Sequence, residues 1–282
     1  MPIDDTNRAQ ADFWAASGAQ WTKMRDRFDA QAGAHGTAAI DALAPAAGEY
    51  VIDIGCGAGS TTLELARRVG TSGRVLGLDI SPTMLDGARA FAEQAGATNV
   101  AFTLGDAMVE PFTGDADALY SRFGVMFFAD AAAGFTNLLA ALRPGGRLGF
   151  ACWQSPAENP WITRPLAAAS NYVELPFGSD PTAPGPMSLA DPERVRSVLA
   201  EAGFVEVDIQ PRSAPTTLGA DLDDAIDFLF GLMAPIGALQ RDDPDKAAAL
   251  RLDLMTELAD WAGPNGVTSP SATWIVTAQH AA

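Results

Sequence analysis

The chain has 282 residues, 48% of them hydrophobic, which is enough material for one large α/β core or two small ones. Eighteen basic residues stand against 35 acidic ones, a formal net charge of −17. Such a chain repels phosphate backbones and anionic lipid, so a nucleic-acid partner is excluded from the expectation and a small molecule takes its place. There is no apolar run of about 18 residues, and the N-terminus MPIDDTNRAQADFW lacks the basic-then-apolar layout of a signal peptide, so no membrane insertion is expected and the protein is read as cytoplasmic.

Residues 8–44 read as an irregular helical arm holding Phe13, Trp14, Trp21, Met24 and Phe28. Residues 50–54 form a first strand that runs into a turn rich in glycine (Gly55, Gly57, Gly59) and then into a helix. Thr61 and Glu64 have the spacing of a capping box at its start. That helix carries Leu63, Ala66 and Val69 on one face and stops at Gly70. A second strand at 74–78 ends on Asp79, and Ser81 with Pro82 opens the next helix. Strands follow at 100–104, at 117–121 and at 147–153, with a helix from Asp130 to Leu142 before the last of these. The alternation predicts a parallel sheet with helices on both faces, whose strand ends are where ligands bind.

Between residues 154 and 190 seven prolines interrupt the rhythm among Trp161, Tyr172 and Phe177, which predicts a structured loop or broken helix. A helix at 191–203, a sixth strand at 205–210, two amphipathic helices at 221–239 and 244–261 and a last strand at 273–278 complete the chain. Residues 1–282 read as a single domain: an arm at 1–47, a binding core at 48–153, and a substrate-side loop and helical lid at 154–190 and 211–272. Only Cys56, Cys152, His35 and His280 are present as soft or imidazole ligands, so no metal site is expected. His280, near the C-terminus, is expected in solvent.

A glycine turn after a strand brings bare N–H groups and a helix N-terminus to a ligand, and dinucleotides use one as readily as other nucleosides do. The acids at the strand ends tilt the choice. Asp53 sits two residues before the first glycine, where it would repel a pyrophosphate and hold an ammonium group. Asp79, twenty residues beyond Gly59, can accept from ribose hydroxyls, and Asp106 can accept from an exocyclic amine.

The segments VIDIGCGAG, LGLDIS, GDA, DALYSRFGVMFF and LRPGGRLGFACW, in this order and spacing, resemble the successive motifs of class I S-adenosylmethionine-dependent methyltransferases. The likeness is nearest to the ubiquinone and menaquinone C-methyltransferases and the type 11/25 group. It covers residues 48–153 well and 191–210 in pattern. The resemblance implies a Rossmann-like, mostly parallel seven-stranded sheet, its last strand antiparallel and inserted beside the sixth. Cys56 and Cys152 would then sit on strands too far apart for a disulfide. It further implies S-adenosyl-L-methionine as cofactor, with S-adenosyl-L-homocysteine as product. Gly55 and Gly57 would pass the methionine part, Asp53 would lie near its amino group, and Asp79 would take the ribose hydroxyls. Ile80 and Met84 would pack on adenine, Asp106 and the N–H of Ala107 would read its edge, and Ser121 would offer its carbonyl to the amino group, with Arg122 beside it. Plainer roles stay open: Asp53 bracing the turn, Asp79 a cap, Asp106 a turn residue, Ile80 and Met84 core, and Arg122 an ordinary ion pair.

The expected reaction is methyl transfer to a small, aromatic or hydrophobic acceptor, whose pocket would draw on Trp21, Phe28, Phe123, Met126, Trp153, Trp161 and Tyr172. The rival role for these aromatics is to glue the arm and lid to the core. No catalytic residue is evident beyond His35, which sits between arm and first strand. The alternatives are a non-catalytic S-adenosylmethionine-binding partner protein and an NAD(P)-dependent oxidoreductase. No feature argues for an oligomer.

Overall fold

The strands of the computed structural model are, in chain order, β1 (Tyr50–Ile54), β2 (Arg74–Asp79), β3 (Val100–Leu104), β4 (Ala116–Arg122), β5 (Leu142–Trp153), β6 (Val205–Gly219), β7 (Ala262–Gly263) and β8 (Gly266–Gln279). The structure describes residues 3–174 and 180–282, so Pro176 and Phe177 of the proline-rich segment lie outside the described residues. Val51, Ile52 and Ile54 are buried, as a strand covered on both faces requires. β1 accordingly lies between β2 and β4, parallel to both. The strand order is β3-β2-β1-β4-β5-β8-β6. β8 is antiparallel to β5 on one side and to β6 on the other, so the expected inserted strand is present, and the two-residue β7 pairs onto it.

Three strands run longer than their sequence pattern. β5 begins at Leu142 rather than at residue 147, β6 continues to Gly219, and β8 starts at Gly266. The added lengths of β6 and β8 pair with each other from Pro211 opposite Trp274 to Gly219 opposite Val267, with Pro215 facing Pro270. Proline removes a ladder donor and hides the strand signal, and β6 tolerates it as an edge strand.

The helices are α1 (Arg8–Lys23), α2 (Arg25–Leu43), α3 (Ser60–Val69), α4 (Pro82–Gln94), α5 (Ala131–Ala141), α6 (Pro160–Ala169), α7 (Pro192–Ala202), α8 (Leu222–Leu232), α9 (Ala234–Asp242) and α10 (Pro244–Glu257). The helix expected at 221–239 is broken at Met233 into α8 and α9. Ser81, Asp130 and Asp191 cap α4, α5 and α7 with their side chains. The capping box expected at Thr61 and Glu64 is absent. α3 starts at Ser60 with Gly59 as an uncapped N-cap, Thr61 turns to Asp53, and Glu64 pairs with Arg67 and Arg68.

The arm is fastened across the strand tips by α4. Trp14 O accepts a hydrogen bond from Ser81 Oγ at 2.9 Å, and α1 comes so close that a Cβ on Gly87 would stand 2.4 Å from Thr22. α2 continues over the sheet beside β5. Cys56 and Cys152 are both free and buried, on β1 and β5 sides of an intervening β4.

Candidate active site

Gly55 N and Cys56 N donate to Leu78 O at 2.8 and 3.1 Å, which ties the turn to β2. Gly55 has φ +66°, and a Cβ there would stand 2.9 Å from Gly124 Cα, so no other residue fits. Gly57 has φ +54°, but a Cβ there would meet only Met84 Sδ at 3.7 Å, because this side of the turn faces a cavity. The Asp79 carboxylate spans the turn and the next helix: Oδ2 accepts from Gly57 N and Oδ1 from Ser81 N, each at 2.8 Å. Burial raises its pKa above the usual carboxylate range.

Asp53 stands behind the turn, fully buried. Its Oδ2 accepts from the Thr61 and Thr62 hydroxyls, both at 2.7 Å, and its Oδ1 has no partner. Burial pushes this carboxyl up to about 6. Asp53 thus stands at the back of the turn and is not among the residues that line the cavity. The Ser121 hydroxyl braces the turn, donating from Oγ to Ile54 O at 2.8 Å and accepting from Gly124 N at 3.2 Å. Thr61 and Thr62 are site residues that sequence reading missed, although their place directly after the turn was the available signal.

The cavity encloses about 490 Å³ between the strand tips and the arm, within the range of small-molecule sites. At the β2 and β3 tips it is lined by Asp79, Ile80, Met84, Asp106 and Ala107. Asp106 is buried, and the arm reaches it: Oδ1 accepts from Asn7 Nδ2 and Met108 N, both at 3.0 Å, and Oδ2 from Asp4 N at 3.2 Å. At the β4 and β5 tips the walls are Trp21, Phe28, Arg122, Phe123, Met126, Trp153 and Trp161, with Asp29 beside Arg122. The rings form one connected series from Trp14 through Trp21, Phe28, Phe123 and Trp153 to Trp161, with neighbouring centroids 4.2 to 6.4 Å apart. Asp29 carried no local signal, since its partner lies on β4.

Tyr172 and His35 fall outside this cavity. Tyr172 Oη donates to Asp253 Oδ2 at 2.6 Å on the outer face of α10. His35 is buried between α2 and β8. Ser271 Oγ donates to Ala214 O, so the ring's Nε2–H donates to Ser271 at 2.8 Å, and Nδ1 accepts from Thr273 Oγ1 at 2.9 Å. Burial first, then the Arg212 cation, lowers its pKa to about 4. A neutral ring with both nitrogens engaged, edge-on behind Trp153 at 5.5 Å, is part of the wall's support and not an available base. His280, expected in solvent, is half-buried with Nδ1 3.1 Å from Leu142 O.

A mostly parallel sheet of this order, with a glycine turn at β1, an acid at the β2 tip and a cavity above both, is a Rossmann-like fold with its ligand site at the strand tips. Residues 51–146 match the family described as Methyltransferase domain. Nocamycin O-methyltransferase of Saccharothrix syringae is 28% identical over 251 residues, covering 83% of this chain and 86% of that protein. Aklanonic acid methyltransferase of Streptomyces sp. strain C5 is 31% identical over 158 residues, covering 56% of this chain and 66% of its own length. The solved YcgJ protein of Bacillus subtilis shares the fold with a TM-score of 0.61 at 17% identity, over 89% of this chain and 99% of that one. Haemonchus contortus phosphoethanolamine N-methyltransferase 2, solved in complex with S-adenosyl-L-methionine, does so with a TM-score of 0.61 at 14% identity, over 99% of this chain and 61% of that one. The chain belongs to the class I S-adenosylmethionine-dependent methyltransferases, and S-adenosyl-L-methionine is its cofactor. The residues present fit that group: the Asp79 carboxylate borders the cavity, and the space a Gly57 Cβ would fill is open to it.

Proposed function

We propose that the protein methylates a small, planar, largely apolar acceptor. The series of rings along the β4 and β5 side of the cavity is the observation that carries this reading, and the small-molecule names of the two relatives support it. In this reading Asp79 takes the ribose hydroxyls, Ile80 and Met84 pack on the adenine, Asp106 and the N–H of Ala107 meet its edge, and Gly55 and Gly57 pass the methionine part. Asp53 and Ser121 hold the turn from behind. The cofactor supplies a sulfonium-activated methyl group whose C–S bond pair returns to sulfur as a neutral thioether. The protein's own work is then to set the acceptor behind the methyl carbon at about 3 Å and to exclude water. The arm does the second: it lies over the tips of β2 and β3 and contributes Asn7, which precedes α1, and Phe13 and Trp14 of α1 to the cavity. Residues 1–282 act in this reading as a single catalytic domain in the cytoplasm.

Calorimetry with S-adenosylhomocysteine, followed by incubation with methyl-labelled cofactor and a panel of phenols, quinols, amines, aromatic carboxylic acids and aryl 1,3-diketones, tests the proposal. Micromolar binding with label transferred to an aromatic acceptor is expected. Binding with no transfer to any member would favour a non-catalytic cofactor-binding protein instead.

A further inference from the structure

Arg122, at the tip of β4, is a largely buried cation in the cavity wall whose donors are incompletely engaged. Its side chain is only 14% exposed, and its stem fills the space that Gly36 leaves, where a Cβ would stand 2.6 Å from Arg122 Cδ. The guanidinium lies 5.2 Å from the Phe28 ring centroid. Its Nη2 is 2.8 Å from Asp29 Oδ1, yet that oxygen is a buried acceptor with no hydrogen-bond partner, because the contact is out of line for a bond. No other acceptor among the described residues takes a hydrogen bond from this guanidinium. A guanidinium has five N–H donors in a planar fork, shaped to hold two oxygens of one anion.

The bases on offer in the cavity are few. Asp79 and Asp106 lie at the β2 and β3 tips with several hydrogen bonds each, and Asp29 faces Arg122. Among the described residues no imidazole lines the cavity. The chain offers a held cation to an oxyanion, and not a free base to a neutral hydroxyl.

We infer that the acceptor is an acidic oxygen compound whose anion is shared over two oxygens, a carboxylate or an ionised 1,3-dicarbonyl, held by Arg122 with its apolar body along Phe123 and Trp153. The inference rests on the proposed methyl transfer and names the acceptor class for it. One oxygen is held by the guanidinium; the other supplies the electron pair for the new C–O bond. The C–S pair stays with sulfur, and no proton leaves at the transfer, which accounts for the missing base. Asp29 competes with the acceptor anion for Arg122 and keeps the guanidinium in place before the acceptor enters.

The test measures binding of a naphthalene carboxylate and of naphthol, matched in ring and unlike in charge, by tryptophan fluorescence at neutral pH with S-adenosylhomocysteine present. The wild type is expected to prefer the carboxylate at least tenfold. Arg122→Gln should abolish that preference and leave affinity for S-adenosylhomocysteine within twofold, since in this inference the guanidinium serves the acceptor in place of the cofactor's amino end expected of it from the sequence. Asp29→Asn should tighten the carboxylate several-fold and leave naphthol unchanged, an arm that decides the matter should Arg122→Gln not fold. Equal binding of the two probes to the wild type, or no gain in Asp29→Asn, overturns the inference. So does an Arg122→Gln variant that loses S-adenosylhomocysteine tenfold and keeps its preference for the carboxylate, since Arg122 then serves the cofactor's own carboxylate. A wild type that binds no S-adenosylhomocysteine fails earlier, at the proposed function.

Discussion

Phe123 and Trp153 lie face to face, with ring centroids 4.2 Å apart and planes 6° from parallel, and Phe123 holds this position with φ +65°. A bulky side chain in the left-handed region costs on the order of 1–2 kcal/mol. The surroundings hold it there through the stack and through Phe123 N donating to Ala151 O at 3.0 Å. Trp153→Leu removes the stacking partner and the ring behind which His35 packs. We expect a loss of about 2–4 kcal/mol in unfolding free energy and a tenfold or greater rise in acceptor KM, with S-adenosylhomocysteine affinity unchanged. Denaturant titration and calorimetry on one preparation separate the two effects.

The two inner glycines of the turn should fail in opposite ways. Gly55→Ala sets a Cβ against the backbone of Gly124 at 2.9 Å as well as imposing φ +66°, so stability falls by about 2 kcal/mol or more. Gly57→Ala meets only the end of Met84 at 3.7 Å. It pays the conformational strain of about 1 kcal/mol and places its methyl group where the ligand passes. Its melting temperature should stay nearer the wild type while its affinity for S-adenosylhomocysteine drops. The reverse ranking in paired melting and binding measurements would show that the cofactor does not run along Gly57.

Asp79→Ala tests the ribose contact. Loss of charge-assisted bonds should weaken S-adenosylhomocysteine by about 1–3 kcal/mol. Because Gly57 N and Ser81 N also lose their acceptor, stability should fall as well, and the affinity change is to be read well below the melting temperature. An unchanged dissociation constant would place the nucleoside elsewhere.

His35 sets a pH dependence whose sign is fixed. Its folded pKa of about 4 lies below the usual 6.5, so between these values the unfolded chain binds a proton that the native chain does not. Stability from this residue is complete above pH 6.5 and declines as pH falls toward 4, by about 3 kcal/mol at most. His35→Gln should lack this component, so the wild type should lose more unfolding free energy than the variant between pH 7 and pH 4.5. Urea titrations showing parallel decline in the two proteins would mean that the ring does not stay neutral in the fold.

The strands from residue 50 to residue 122 were legible because each is a short apolar run closed by glycine, proline or an acid, and the structure sets β1 and β3 at the expected residues. The strand ends carrying Asp79, Asp106 and Arg122 were legible for the same reason. What sequence could not supply was direction. Asp53 occupies its expected place in the chain, but its carboxylate faces Thr61 and Thr62, behind the cavity wall. Tyr172 belonged to a plausible aromatic set, yet α6 ends before it and its hydroxyl turns to Asp253. Contacts between distant segments, such as Asp29 with Arg122 or Asn7 with Asp106, leave no periodic trace in either partner.

β8 also orders the molecule in time. The β5 edge of the sheet, with Trp153 opposite Thr273 and Arg147 opposite Gln279, has no partner until the last strand has been made. Pairings of high sequence separation form late, so a growing chain can assemble β1 to β4 and the nucleoside end of the cavity while the Trp153 wall still lacks its backing. Pulse-labelled hydrogen exchange during refolding should find the β8 amides protected after those of β1 and β4. The protein would then be able to hold its methyl donor before it is able to choose what to methylate.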